Sequence, residues 1–137
     1  TLTTVTATVN AAPVTSTMPT ITVVPGPVSL AQSTLTPAAS SVASGASISV
    51  TLQARDAAGN NITSGGLIVA MSRSGGTSTG SFSAVVENNN GTYSADFTGS
   101  VAGTPTTLSA TIGGSPITST LPQVTVTPGP VSLANST

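Results

Sequence analysis

Cysteine, histidine, lysine and tryptophan are all absent from this 137-residue chain. Without cysteine neither a disulfide framework nor a thiolate metal site can form, and the redox compartment is left open. Without histidine the usual general base and the commonest metal ligand are missing. Without lysine, a Lys–Asn isopeptide cross-link within this segment is excluded. Charge is scarce as well: Arg55, Asp56, Arg73, Glu87 and Asp96 carry all of it, for a formal net charge of −1. Two cations make no basic stripe for phosphates, so nucleic acid is not an expected partner. The longest uninterrupted apolar run is Leu67–Met71, far short of the ~20 residues of a membrane-spanning helix. No signal-peptide pattern opens the chain; if the protein is exported, its signal is expected outside this sequence.

What is abundant is serine and threonine, about a third of all residues. The mean hydropathy is nonetheless positive, +0.35, and β-branched residues alternate with polar ones. That combination marks a folded chain, because disordered chains are typically charge-rich and poor in β-branched residues. The strongest single signal is a repeat. Residues 1–34 and 104–137 align without a gap at an offset of 103, with 21 of 34 positions identical. Soft exchanges such as Val5/Leu108, Val9/Ile112, Val14/Ile117 and Met18/Leu121 add to the match. A period of this size is one small domain in tandem, longer than the 20–50 residues of a solenoid unit. The expected organisation is therefore residues 1–26 as the last two strands of a preceding repeat, 27–128 as a complete domain, and 129–137 as the start of the next repeat.

Alternation predicts strands over Thr1–Val9 and Val14–Val24, separated by a turn at Asn10–Pro13. Pro25-Gly26-Pro27, repeated as Pro128-Gly129-Pro130, reads as a short semi-rigid linker with one pivot, since each proline fixes a φ angle. Val28–Leu35 is expected as a first, edge-prone strand ended by Pro37. In Ala46–Arg55, Ile48, Val50, Leu52 and Ala54 point to a core and the intervening residues to water. Asp56–Asn61 is a turn cluster, and Gly65-Gly66 breaks the chain before Leu67–Ser72. That segment is expected as a short central strand with Val69 and Met71 inward. Gly75–Gly80 reads as a loop. Ser81–Glu87 and Thr92–Thr98 form a hairpin closed by Asn88–Gly91, whose Asn-Gly supplies positive φ angles. Strict alternation puts Phe82, Ala84 and Val86 on one face with Tyr93, Ala95 and Phe97. Thr106–Ile112 and Ile117–Val126 supply the last strands, with Gly113-Gly114 at the turn and Pro122 as a bend. Seven short strands about ten residues apart, with no helical periodicity, predict an all-β fold: a seven-stranded immunoglobulin-like β-sandwich in tandem with a 103-residue period.

The segments QARDAAGNNITSGG, VVENNNGTYSADFT, AGTPTTLSATIGGSPITST and VTVTPGPVS resemble the filamin-type immunoglobulin repeat. They are also similar to the bacterial immunoglobulin-like repeats of invasin- and intimin-type surface proteins. The likeness covers Pro27 to Pro128, and its most specific pieces are Asp56-Ala-Ala-Gly-Asn60, Asn90-Gly-Thr-Tyr93 and Gly113-Gly-Ser-Pro-Ile117. The resemblance implies a sandwich used in tandem as a spacer or scaffold, with no catalytic residues to carry over. The absence of lysine and the Thr/Ser-rich faces set the chain apart from animal filamin repeats and favour an exported microbial array.

Several groupings invite a chemical role, and each has a plainer one. Asp56 with Asn60 and Asn61 offers clustered oxygens of the kind Ca²⁺ takes, but one carboxylate is few and the spacing is not that of an EF-hand loop; a turn is expected. Glu87 and Asp96 lie toward opposite ends of one hairpin, which does not suit a paired-carboxylate glycosidase site. Asn61-Ile62-Thr63, Asn90-Gly91-Thr92 and Asn135-Ser136-Thr137 match the glycosylation sequon, as a Ser/Thr/Asn-rich chain does by chance; O-linked sugars are an equal alternative. Thr104-Pro105-Thr106 and Thr125-Val126-Thr127 resemble flat ice- or sugar-binding faces, yet β-propensity on a wet face accounts for them. No catalytic, cofactor-binding or metal residues are expected, and no cofactor. The expected role is a non-enzymatic repeat of an extracellular or cell-surface fibre or adhesin stalk, extending it by roughly 35–45 Å per domain. Its expected partners are neighbouring repeats of the same chain and other copies in a fibre, with no membrane span in this segment. The alternative is a ligand-binding or self-assembling adhesion module that offers an exposed sheet edge.

Overall fold

The computed structural model describes residues 2–134, and no helix occurs among them. The strands in chain order are β1 (Leu2–Thr4), β2 (Thr8–Val9), β3 (Ala12–Pro13), β4 (Thr20–Thr22), β5 (Thr34–Pro37), β6 (Ser41–Ala43) and β7 (Ser47–Gln53). They continue as β8 (Val69–Ser74), β9 (Thr79–Phe82), β10 (Val86–Glu87), β11 (Thr92–Val101), β12 (Thr106–Ile112), β13 (Ser115–Pro116) and β14 (Gln123–Thr127).

Two sheets face each other as an immunoglobulin-like β-sandwich. One runs β10-β11-β7-β5, with β9 also on β11; the other runs β13-β12-β14-β6, with β8 also on β12. The inner faces alternate as a two-residue period requires. Val50, Leu52, Tyr93, Ala95 and Phe97 come from the first sheet and Leu108, Ala110, Ile112, Val124 and Val126 from the second, all buried. Ile48, expected inward, packs at the margin of this cluster. Phe82 and Phe97 are cross-strand partners with ring centroids 5.2 Å apart and planes tilted by 53°. Beside them Gly80 leaves room that no other residue could: a Cβ there would lie 2.5 Å from Phe97 Cζ and 2.4 Å from the Thr98 carbonyl oxygen.

Several expectations need correction. Val28–Leu35 is not one strand: Val28 makes a lone bridge to Asp56, Leu30–Gln32 turn, and only then does β5 begin. The cause is Ser33, whose N–H and hydroxyl both donate to the Ser29 carbonyl, at 3.0 and 2.7 Å, closing the turn. Pro37 does end the strand, as the last residue of β5, paired with Val50 on the sheet's edge, where a missing N–H is tolerated. The chain then crosses to the other sheet as β6, parallel to β14; with Val42 as its one large apolar residue, it carries no sequence signal. β8 is an edge strand with alternate residues exposed, since it pairs with β12 alone among the described residues. The 75–80 loop ends early, because Thr79 and Gly80 already belong to β9.

A further correction concerns the hairpin. Phe82 pairs with Phe97, but Val86 pairs with Ser94, so one extra residue sits between them on the incoming strand. Such a bulge turns every later side chain to the other face. Val85 therefore packs on the core, while Ala84 and Val86 point outward. Further on, residues 117–122 are irregular, and the last long strand starts at Gln123 instead of Ile117.

Candidate functional site

Asp56 is the best-connected polar group. Its Oδ1 accepts from the N–H groups of Ala58 (3.0 Å) and Asn60 (2.8 Å), which folds the Asp-Ala-Ala-Gly-Asn turn around the carboxylate. Its Oδ2 accepts from the Asn60 side-chain amide (2.9 Å) and from the backbone N–H of Gly26 (2.9 Å), in the middle of the Pro-Gly-Pro linker. The carboxylate is buried, and the Asn60 amide, followed by the Gly26 N–H, holds its pKa at about 2. Donors favour the ionised form in this way. All four contacts present N–H hydrogens, and the Asn61 Oδ1 is turned away to accept from Arg55 Nε at 3.0 Å. Both Asp56 oxygens thus serve the turn and the linker, and the Asn61 oxygen serves Arg55.

The other charged groups are mostly spent on backbone. Glu87 accepts from the Gly66 N–H, and Arg73 donates from Nε to the Gly80 carbonyl at 3.0 Å. Glu87 stands opposite Tyr93 and Asp96 opposite Ser49, so the two carboxylates do not converge. Tyr93, buried, uses its hydroxyl to accept from the Leu67 N–H at 3.0 Å. Asn90 folds back on its own sequon: its Oδ1 accepts from the Thr92 N–H and hydroxyl. Asn61 and Asn90 are both exposed, and the sequon at Asn135 lies outside the described residues. The threonines of the first run bond locally. Thr106 is buried with its hydroxyl on the Ser74 carbonyl, and Thr104 exchanges bonds with Thr77. Gly113 and Gly114 both take positive φ, 58° and 82°, as the turn between β12 and β13 requires.

The N-terminal segment repeats this geometry at its own scale. β1 pairs with β4 as Thr3↔Ile21 and Thr4↔Thr20, and β12 pairs with β14 as Thr106↔Val124 and Thr107↔Gln123. The bond from Val5 N–H to the Pro19 carbonyl matches that from Leu108 to Pro122, both 2.9 Å, and Val14 to Ala7 matches Ile117 to Ala110, both 3.0 Å. Asn10 and Ala11 adopt the positive φ angles of Gly113 and Gly114. What differs is cover: Leu108 and Val124 are 0% exposed, whereas their counterparts Val5 and Ile21 are 41% and 55% exposed. Two grooves flank the linker that joins this ribbon to the sandwich. One, of about 370 Å³, is lined by Val24, Val28, Ile62 and Leu67; the other, of about 470 Å³, by Thr3, Thr22, Asn60 and Thr63. The Gly26–Asp56 contact between them had no local sequence signal, since its partners are 30 residues apart.

No curated protein matches the chain. Among solved structures, FdeC, an Escherichia coli adhesin, is 30% identical with a TM-score of 0.68, over 96% of this chain and 41% of that one. InvD of Yersinia pseudotuberculosis is 26% identical with a TM-score of 0.67, over 100% of this chain and 40% of that one. The chain thus spans less than half the length of either. The Lin-41 filamin domain shares the fold, at 16% identity and a TM-score of 0.51 over 74% of this chain and 98% of that one. Residues 29–129 match the family described as invasin, domain 3; with its two-sheet core and its adhesin relatives, the chain belongs to that family of bacterial immunoglobulin-like domains.

Proposed function

We propose that residues 27–128 are one non-enzymatic repeat of a fibre or adhesin stalk on a bacterial surface, acting as a semi-rigid spacer. The observation that carries this reading is the ribbon. Residues 2–23 keep the register, turn angles and hydrogen bonds of β12–β14 while leaving their apolar side exposed. Such an arrangement makes physical sense as the closing strands of a preceding repeat, because an isolated two-strand ribbon is marginal in water. Since β14 leads straight into Pro128-Gly129-Pro130, tension applied to the array would pass from one sandwich to the next through the linker. The surface location follows from the adhesin relatives and belongs to the same proposal. Small-angle scattering from three successive repeats tests it: a rod gaining roughly 35–45 Å per repeat supports a spacer, and a compact particle refutes it.

A second reading is favoured by the free side of β8. That strand pairs with β12 alone among the described residues, and the adjoining Ile68 is 80% exposed, so an extended peptide could add to this edge. Amide shifts confined to β8 on peptide titration would support the adhesion-module reading; no shift at saturating peptide would reject it.

A further inference from the structure

The Pro-Gly-Pro linker occurs twice, and each copy displays a different side of the same joint. At the first, where the chain enters the sandwich, the Gly26 N–H donates to Asp56 Oδ2. Pro25 and Pro27 have no N–H, so this amide is the one donor the tripeptide can offer. A Cβ on Gly26 would meet Asp56 only at 3.7 Å, an ordinary contact. The leading end of the sandwich therefore needs the amide and tolerates a side chain. At the second copy, where the chain leaves, the demand is reversed. A Cβ on Gly129 would fall 2.7 Å from the Ser44 carbonyl oxygen. Ser44 cannot readily yield, because its N–H donates to the Thr127 carbonyl at 2.8 Å, its hydroxyl reaches the Ser100 carbonyl, and Gly45 donates to Gly99 at 2.9 Å. Neither glycine has a positive φ, so the trailing end requires glycine for space and not for backbone conformation.

We propose that each linker glycine is gripped by both domains it joins, through its missing side chain against the Ser44 carbonyl of the domain before and through its N–H on the Asp56 carboxylate of the domain after. The inference rests on the tandem-array reading. It makes the leading end, centred on Asp56, a socket whose occupant is the trailing linker of the preceding copy. The socket is preorganised: three of the four bonds to Asp56 come from its own turn, through Ala58 and Asn60, so little ordering remains when the linker docks. Two grooves flank the linker, and between them the Gly26–Asp56 bond ties the linker to the sandwich and helps set the angle between domains. The glycine that the sequence presents as a pivot is thereby a lock.

Amide hydrogen exchange and ¹⁵N relaxation on the 137-residue chain test the lock. In the wild type the Gly26 amide is expected to exchange at least ~10-fold more slowly than an unstructured glycine and to tumble with the sandwich. G26A retains that protection, D56N abolishes it, and G129A moves the Ser44 and Gly45 resonances while leaving Gly26 unchanged. An unprotected Gly26 in the wild type, or a G129A variant with Ser44 and Gly45 undisturbed, overturns the proposal. Protection of Val50 and Phe97 in the same spectra shows whether the sandwich is intact. If D56N unfolds the domain, the wild type, G26A and G129A still decide. A compact array in scattering with Gly26 protected would defeat the spacer reading alone.

Discussion

Gly26 and Asp56 are joined by a 2.9 Å hydrogen bond from backbone N–H to carboxylate, across the boundary between linker and sandwich. The same carboxylate closes its own turn, so its ionisation is coupled to both. The Asn60 amide and then the Gly26 N–H hold its pKa at about 2, below the ordinary 3.8. A carboxyl whose pKa is depressed on folding contributes stability that is complete above its unfolded value and is lost as pH falls through the folded one. Asp56 should therefore contribute fully above about pH 4 and lose its contribution between there and about pH 2. Tm measured by calorimetry across that range should fall more in the wild type than in D56N, which should already be less stable at neutral pH. Parallel Tm curves for the two proteins, or a ¹³C carboxyl titration of Asp56 near 3.8, would contradict this.

The ribbon makes a separate prediction. Val5, Val9, Ile21 and Val23 are all more than 40% exposed, so the ribbon removes little apolar surface from water. Deleting residues 1–23 keeps Gly26 and its bond. It should change the unfolding free energy of the sandwich by less than about 1 kcal/mol, as expected for changes away from a core. Urea denaturation monitored by Tyr93 fluorescence measures it; a larger loss would mean the ribbon is an integral part of this domain.

Tyr93 is 1% exposed and its hydroxyl accepts from the Leu67 N–H, pinning the start of the β8 segment to the first sheet. Tyr93→Phe removes the acceptor but leaves the ring, so the part-buried Leu67 N–H loses its partner. The expected loss is about 1–3 kcal/mol, with the denaturant slope unchanged and the Leu67 amide exchanging faster. Unchanged exchange at Leu67 would show that the bond does not hold that segment.

How much of this was legible beforehand depended on whether the cause was periodic. Ile48, Val50, Leu52 and Ala54 alternate, and all but Ile48 are fully buried; Thr106–Ile112 is a strand over the range its pattern gives. Turn chemistry was readable in part: Gly91 takes the positive φ expected of the Asn90-Gly91 pair, but the second positive φ falls on Asn89 and not on Asn90. What escaped were single events with no period. Ser33 closes a turn by bonding Ser29, and the short β6 carries Val42 as its one buried residue. The Asp-Ala-Ala-Gly-Asn turn could be read, but not that one oxygen of Asp56 serves a glycine 30 residues earlier.

The bulge between Phe82 and Val86 gives the most discriminating test of the first sheet, because alternation alone assigns the wrong valine to the core. Phe97 pairs with Phe82, and Ser94, not Tyr93 or Ala95, faces Val86. The shift leaves Val86 57% exposed and packs Val85 on the core. Valine to serine at an exposed site should alter stability by no more than about 0.5 kcal/mol. At the partly buried Val85 the same change removes apolar contacts and brings a hydroxyl toward the core, for a loss of about 1–3 kcal/mol. Urea denaturation of Val85→Ser and Val86→Ser side by side should therefore rank Val85→Ser as much the weaker protein. The reverse ranking would mean that the strand runs straight from Phe82 to Glu87 and that the bulge is absent.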